Sequence, residues 1–350
     1  VRAARRALTF LESDPGPGLT RSRVRVLQLL SGIYQDLADH EASGLLLQQA
    51  LCALPEAPDD PRGAAAVVET LTRLGDLARL RGRYEQAELY LRRALTIAAH
   101  PDRAVAAAGA RNALAITFKD SGRYDEAAAL YRDVLSEVVA RFGPKSSAVA
   151  TCYHNLAGLA YAREDYQAAE PLARHAVRLR ARRFGAHHRD VAADLAVLAA
   201  VLLGEHRLDE AERAYRQALS SYTRVFGSEH YEVAVVLNGL ATIEVERGRP
   251  VQAEPLYLRA LAIKERVLGP EHPEIGVLLN NLAVMHRKAG RLDAAADCYR
   301  RALPLLTRSL GDQHPSVVVC SDNLAALMEP TAQAAPPPMN RPTHDWLGRV

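Results

Sequence analysis

A beat of 42 residues runs through this chain and limits what it can fold into. Gly143, Gly185, Gly227, Gly269 and Gly311 each follow the last by 42 residues. The alanines Ala87, Ala127, Ala169, Ala211, Ala253 and Ala295 keep spacings of 40 and then 42 four times. A pair, Ala-Leu or similar, beginning at Ala50, Ala94, Val134, Ala176, Ala218, Ala260 and Ala302 follows the same beat. Self-similarity at this period marks a repeat architecture, in which each repeat is one supersecondary unit.

One copy shows what the unit is. Residues 271–310 read EHPEIGVLLNNLAVMHRKAGRLDAAADCYRRALPLLTRSL. A proline lies near the start, and Val277, Leu278, Leu282 and Met285 recur at helical spacing. A turn follows at Ala289-Gly290-Arg291, and a second patterned run from Leu292 to Leu310 ends at Gly311. Proline just inside and glycine just past a helix are helix punctuation. The unit is therefore an antiparallel helical hairpin. Neither helix can bury its apolar face alone, so the hairpins must stack.

Composition agrees with stacked helices. Apolar residues make up 49% of the chain but aromatics only 5%, so alanine and leucine fill the core. The 44 basic and 41 acidic residues nearly cancel, to +3, which argues against nucleic acid or an acidic membrane as the main partner. Cys52, Cys152, Cys298 and Cys320 form no CxxC and match no zinc spacing. Cys152 and Cys320 occupy the apolar repeat position of Leu278 and read as buried thiols. No signal peptide and no run of 18 apolar residues is visible, so a reducing cytoplasm is expected. The chain starts at Val1, so its natural start is expected to lie upstream.

Taken in order, residues 1–12 resemble the second helix of a repeat whose first helix is absent, with a free basic helix as the alternative; residues 13–20 form a turn-rich linker. Hairpins are expected at about 21–54, 63–99, 103–142, 146–184, 188–226, 230–268 and 271–310. A lone first helix over 313–328 caps the last one. The first hairpin is degenerate, with Ser43 in place of the small alanine. Residues 329–350, with Pro336 to Pro338 and the only tryptophan, Trp346, read as a disordered or extended tail.

Over roughly 21–328 the hairpin resembles the tetratricopeptide repeat, in the 42-residue subtype of kinesin light chains and many bacterial proteins. The matching residues are Leu279-Asn280-Asn281-Leu282-Ala283, Gly290-Arg291-Leu292, Ala295, Tyr299-Arg300-Arg301-Ala302-Leu303 and Leu310-Gly311-Asp312-Gln313-His314-Pro315. The resemblance implies an all-α fold, a right-handed alpha-alpha superhelical solenoid. Its physics stands apart from the name. Ala295 and its equivalents let two helices approach closely. The row Tyr131, Tyr215, Tyr257 and Tyr299 reads as packing between repeats.

The chemistry of an enzyme is missing. His188, His230, His272 and His314 are 42 apart, but equivalent positions in adjacent repeats are roughly 10 Å apart and zinc ligands must converge at roughly 2 Å. They read instead as helix starts. There is no GxSxG, phosphate loop or HExxH. Acidic residues alternate with arginine on helix faces, the pattern of a solvated surface. No catalysis, no cofactor and no bound metal are expected.

The functional candidate is the groove. In the resembled family, first helices line the concave face, with asparagine frequent at two neighbouring positions. Here the first position runs Asn112, His154, Ala196, Asn238, Asn280, Asp322, and the second Ala113, Asn155, Val197, Gly239, Asn281, Asn323. An asparagine amide both donates and accepts, so a ladder of them can pair with an extended peptide backbone. The alternative is that the amides bridge neighbouring first helices. One turn on lie Lys119, Tyr161, Leu203, Val245 and Arg287, where Lys119 and Arg287 could meet acidic ligand groups. Small residues at Gly109, Ala193 and Gly239 are expected to leave room for the ligand chain. The expected partner is a protein or peptide segment, with no nucleic acid and no membrane. Two other roles stay open: the sensor portion of a larger signalling protein, and a cargo adaptor of the kinesin-light-chain kind.

Overall fold

The computed structural model describes residues 20–36, 40–55, 60–99, 104–312 and 314–328. The N-terminal repeat remnant and the C-terminal tail with Trp346 lie outside these residues. Among the described residues every regular element is an α-helix. They are α1 (Thr20–Asp36), α2 (His40–Cys52), α3 (Pro61–Leu80), α4 (Tyr84–Ile97), α5 (Ala104–Asp120), α6 (Tyr124–Phe142), α7 (Ser147–Ala162), α8 (Tyr166–Phe184), α9 (Arg189–Gly204), α10 (Leu208–Phe226), α11 (Tyr231–Glu246), α12 (Pro250–Leu268), α13 (Pro273–Lys288), α14 (Leu292–Leu310) and α15 (Pro315–Met328). The chain divides into two compact units, 1–118 and 119–350, with the division inside α5.

In the first unit α1 pairs with α2 and α3 with α4, and α2 packs against α3. Ser43, which stands where other hairpins carry alanine, is fully buried and shares a 2.8 Å hydrogen bond with Ser31. The hydroxyl is accommodated because a second hydroxyl faces it. Asp60 caps α3, its carboxylate accepting from the Gly63 amide at 2.8 Å. That bond holds the Asp60 carboxyl below its ordinary pKa.

In the second unit the pairs are α7–α8, α9–α10, α11–α12 and α13–α14, and each second helix packs on the first helix of the following hairpin. The alanine row explains the close pairing. Ala127, Ala169, Ala211, Ala253 and Ala295 are all fully buried, as Ala87 is in the first unit. A larger side chain there would overpack the crossing, at about 1–3 kcal/mol. Tyr131, Tyr215, Tyr257 and Tyr299 are buried as expected of packing residues. The Tyr257 hydroxyl shares a 3.0 Å hydrogen bond with Thr242.

The histidines at the 42-residue beat start helices. The main-chain amides of Asp190, Glu232, Glu274 and Ser316 donate to Nδ1 of His188, His230, His272 and His314 at 3.1–3.3 Å. Each ring satisfies an amide that has no partner within its own helix. Phe184 and Phe226 stack on the His188 and His230 rings, at 4.6 and 4.2 Å between centroids.

Helices α9, α11 and α13 differ from an ordinary amphipathic surface helix. From Val191 to Gly204 every residue of α9 is buried, and α13 is buried from Pro273 to His286. An apolar run on all faces produces a helix buried on all faces. Cys152 of α7 and Cys320 of α15 are buried as well, and burial pushes their thiols up to about 11 and about 12.

Candidate functional site

Most of the residues singled out on the first helices are inside the protein. Asn155, Asn238, Asn280, Asn281 and Asn323 are buried, as are His154, Lys119 and Tyr161. Arg287 is half-buried and Asp322 exposed. Asn112, at the end of the first unit, is half-buried.

The asparagines are tied to one another on a diagonal. Asn281 Nδ2 donates to Asn238 Oδ1 at 3.2 Å, and Asn323 Nδ2 donates to Asn280 Oδ1 at 3.4 Å. Each bond links α11 to α13 or α13 to α15, one position off the repeat beat. The amides thus join neighbouring first helices, which was one of the two readings of the rows. Half of each central amide is left over: Asn280 Nδ2 and Asn281 Oδ1 are buried with no hydrogen-bond partner among the described residues. Leaving such a buried group unmade costs about 1–3 kcal/mol.

Other members of the rows have other duties. His154 Nδ1 lies 2.7 Å from Asp194 Oδ1, both fully buried, so this ring is committed to a carboxylate of α9. Arg180 from α8 reaches the same carboxylate at 2.9 Å and donates to Thr151 Oγ1 at 2.7 Å. Burial drives the His154 pKa down, against the pull of Asp194. Lys119 pairs with Asp120 at 2.9 Å, both side chains buried, so it is not an open anchor for an acidic ligand group. Tyr161 meets Tyr166 edge-on at 5.6 Å between centroids.

Gly239 corrects an expectation. A Cβ there would stand 2.3 Å from Cζ of Tyr215, so the space it frees is filled by that ring. Ala193 is buried. Of these three positions, Gly109, in the first unit, is the open one: a Cβ added there would meet nothing within 4 Å.

The reading of acidic residues as a solvated surface holds for Glu88 and Arg92, paired at 2.7 Å on an exposed face. It fails for Asp194, Arg180, Lys264 and Glu274, which are all buried. The signal was present in the row Val138, Arg180, Tyr222, Lys264, Leu306, where charge interrupts an apolar position. Among the described residues no group of three or more His, Cys, Asp or Glu could hold a metal ion, and no helix is long and apolar enough to cross a membrane.

Paired helices with small residues at the crossings and capped starts at a fixed beat define a helical repeat protein. A tetratricopeptide repeat model matches residues 105–182, 190–266, 232–308 and 274–331, and a second one matches 70–105. The chain belongs to the tetratricopeptide repeat family. No curated protein sequence matches it. Among solved structures, it is similar to the Rap conjugation gene regulator of plasmid pLS20 in complex with the Phr* peptide, at TM-score 0.64 and 18% identity over 83% of this chain and 77% of that one. It is also similar to a Rap protein complexed with competence and sporulation factor, at TM-score 0.62 and 14% identity over 88% and 87%. A putative kinesin light chain from Podosopora anserina matches at TM-score 0.42 and 21% identity over 57% and 94%.

Proposed function

We propose that this chain is a non-catalytic interaction scaffold whose first helices bind an extended protein segment through the asparagine ladder. The observation that carries the reading is the pair of unused groups, Asn280 Nδ2 and Asn281 Oδ1. One donor and one acceptor on adjacent residues match what a peptide backbone offers. Their partners on the other side, Asn323 and Asn238, hold the two amides in place. The same fold carries the Phr* peptide in the pLS20 regulator, which supports the use of such a stack for peptides. Because both asparagines are fully buried, a ligand reaches them only when neighbouring first helices part. Affinity then includes the cost of opening, and on-rates fall below those of a preformed site.

The amide bridges favour a second reading, in which the ladder only fixes the stacking of first helices. A phage-displayed library of random peptides, selected on the full chain and counter-selected on Asn280→Ala and Asn281→Ala, separates the two. Peptides enriched by the parent and lost from both variants, with thermal midpoints close to the parent, support the site. Enriched peptides that bind the variants equally, or variants that simply melt early, assign the ladder to structure.

A further inference from the structure

The loops between hairpins are pinned by a repeating ion ladder. Arg308 reaches the Glu271 carboxylate at 2.5 Å, and Arg266 reaches Glu229 at 2.9 Å. Arg224 holds the same place and donates to the His187 main-chain carbonyl at 3.2 Å. In each case the arginine near the end of a second helix grips the loop 37 residues before it. Thirty-seven residues before the next arginine in this series, Arg182, stands Lys145. Where later loops place glutamate, this one places a second cation.

The inversion is not an isolated charge. From Arg174 to Arg189 the chain carries six arginines and no acidic residue; Arg174, Arg180 and Arg189 are paired with Glu170, Asp194 and Asp190, which leaves Arg178, Arg182 and Arg183, and residues 138–149 carry no acidic residue either. Lys145, Arg178, Arg182 and Arg183 are exposed, and among the described residues none of them forms an ion pair. Two phenylalanines end the helices that lead into these loops: Phe142 of α6 is 52% and Phe184 of α8 41% exposed, with the Arg183 guanidinium 5.9 Å from the Phe184 centroid. Unneutralised like charges held together oppose folding, so nothing in the stack itself accounts for them.

We infer that the edge formed by the α6–α7 and α8–α9 loops is a docking surface for an acidic protein segment, whose carboxylates take the place that Glu229 and Glu271 fill in the later loops. Arginine forks bind carboxylates in two-point fashion, and the exposed phenylalanines take an apolar side chain beside them. The patch is confined to two consecutive loops, because the loops after it neutralise their own arginines. A nucleic acid backbone would use a longer stripe, and a membrane a broader face. The surface is distinct from the asparagine ladder and does not depend on it.

Lys145→Glu tests this without breaking the fold, because it supplies the glutamate that the ladder lacks. Binding of a short fluorescein-labelled glutamate-rich peptide is followed by anisotropy at low salt, against a matched peptide with glutamine for glutamate. An oligothymidylate and phosphatidylserine-containing vesicles serve as the other polyanions. The parent chain is expected to bind the glutamate peptide and not the glutamine one, with affinity falling as salt rises. Lys145→Glu and Arg182→Glu each should weaken it about tenfold, while Lys145→Glu leaves the thermal midpoint unchanged or higher. The inference is overturned if the parent ignores the glutamate peptide, if both variants bind it as the parent does, or if oligothymidylate or vesicles bind as tightly as the peptide.

Discussion

Lys264 and Glu274 form an ion pair inside the protein: the α12 ammonium lies 2.7 Å from the carboxylate at the start of α13, and both residues are buried. The Tyr231 hydroxyl donates to the same oxygen at 2.6 Å, and the ammonium lies 5.3 Å from the Tyr231 ring centroid. Three helices are thereby joined at one carboxylate oxygen.

That arrangement makes a double-mutant prediction. Lys264→Met leaves a buried carboxylate without its cation, and about 3–5 kcal/mol of stability should be lost. Adding Glu274→Gln removes the uncompensated charge, and most of the loss should return, since the pair itself replaces two hydrated ions. Urea denaturation of the parent, both single variants and the double variant measures the coupling. Losses that merely add would show that the two residues act independently.

The repeating rows were readable from sequence because a fixed beat repeats the same neighbours. Ala211, Ala253 and Ala295 meet the same helix crossing each time, and the capping histidines the same orphan amide. What was not readable came from a side chain in one repeat meeting a different one in the next. Tyr215 fills the hollow at Gly239, and periodicity places both without saying that they touch. On a helix taken by itself, Arg180 and Asp194 read like the other charges of a solvated face. Their burial follows from α9, whose apolar run leaves no solvated face for Asp194 to share.

The two glycines separate these cases. Gly239→Ala should destabilise by about 1–3 kcal/mol, since the added methyl would meet the buried Tyr215 ring at 2.3 Å. Gly109→Ala should stabilise by about 0.5–1 kcal/mol, since it lies inside α5, is exposed and has nothing within 4 Å of the new atom. Thermal melts of the two variants beside the parent should move in opposite directions.

Two hairpins carry a strained turn. Glu164 and His206 have φ of 60° where Gly248 and Gly290 have 71° and 75°. Both side chains are exposed, so glycine would remove the left-handed penalty without losing burial. Against that, glycine makes the unfolded chain freer. The net expectation for Glu164→Gly and for His206→Gly is a gain of about 0.5–1 kcal/mol each. Equal or lower melting midpoints would mean that the turn is not under strain.

Acid should destabilise the second unit through its histidines. Burial lowers the pKa of His154, His286 and His314, the last to about 4 from an ordinary 6.5, although Asp120 pulls it upward. A folded-state value below the unfolded one means that the unfolded chain takes up the proton first. The stabilisation tied to these neutral rings is complete above about 6.5 and is lost as pH falls toward the folded value. For His314 that window runs from 6.5 down to about 4, and the loss is roughly 1–3 kcal/mol. His314 also accepts the Ser316 amide through Nδ1, which a protonated ring cannot do. Asparagine keeps an acceptor at a helix start but does not titrate. His314→Asn should therefore match the parent at neutral pH and lose less stability on acidification. Urea midpoints measured at several pH values between neutrality and the folded value decide it, and parallel curves for parent and variant would remove His314 from the acid response.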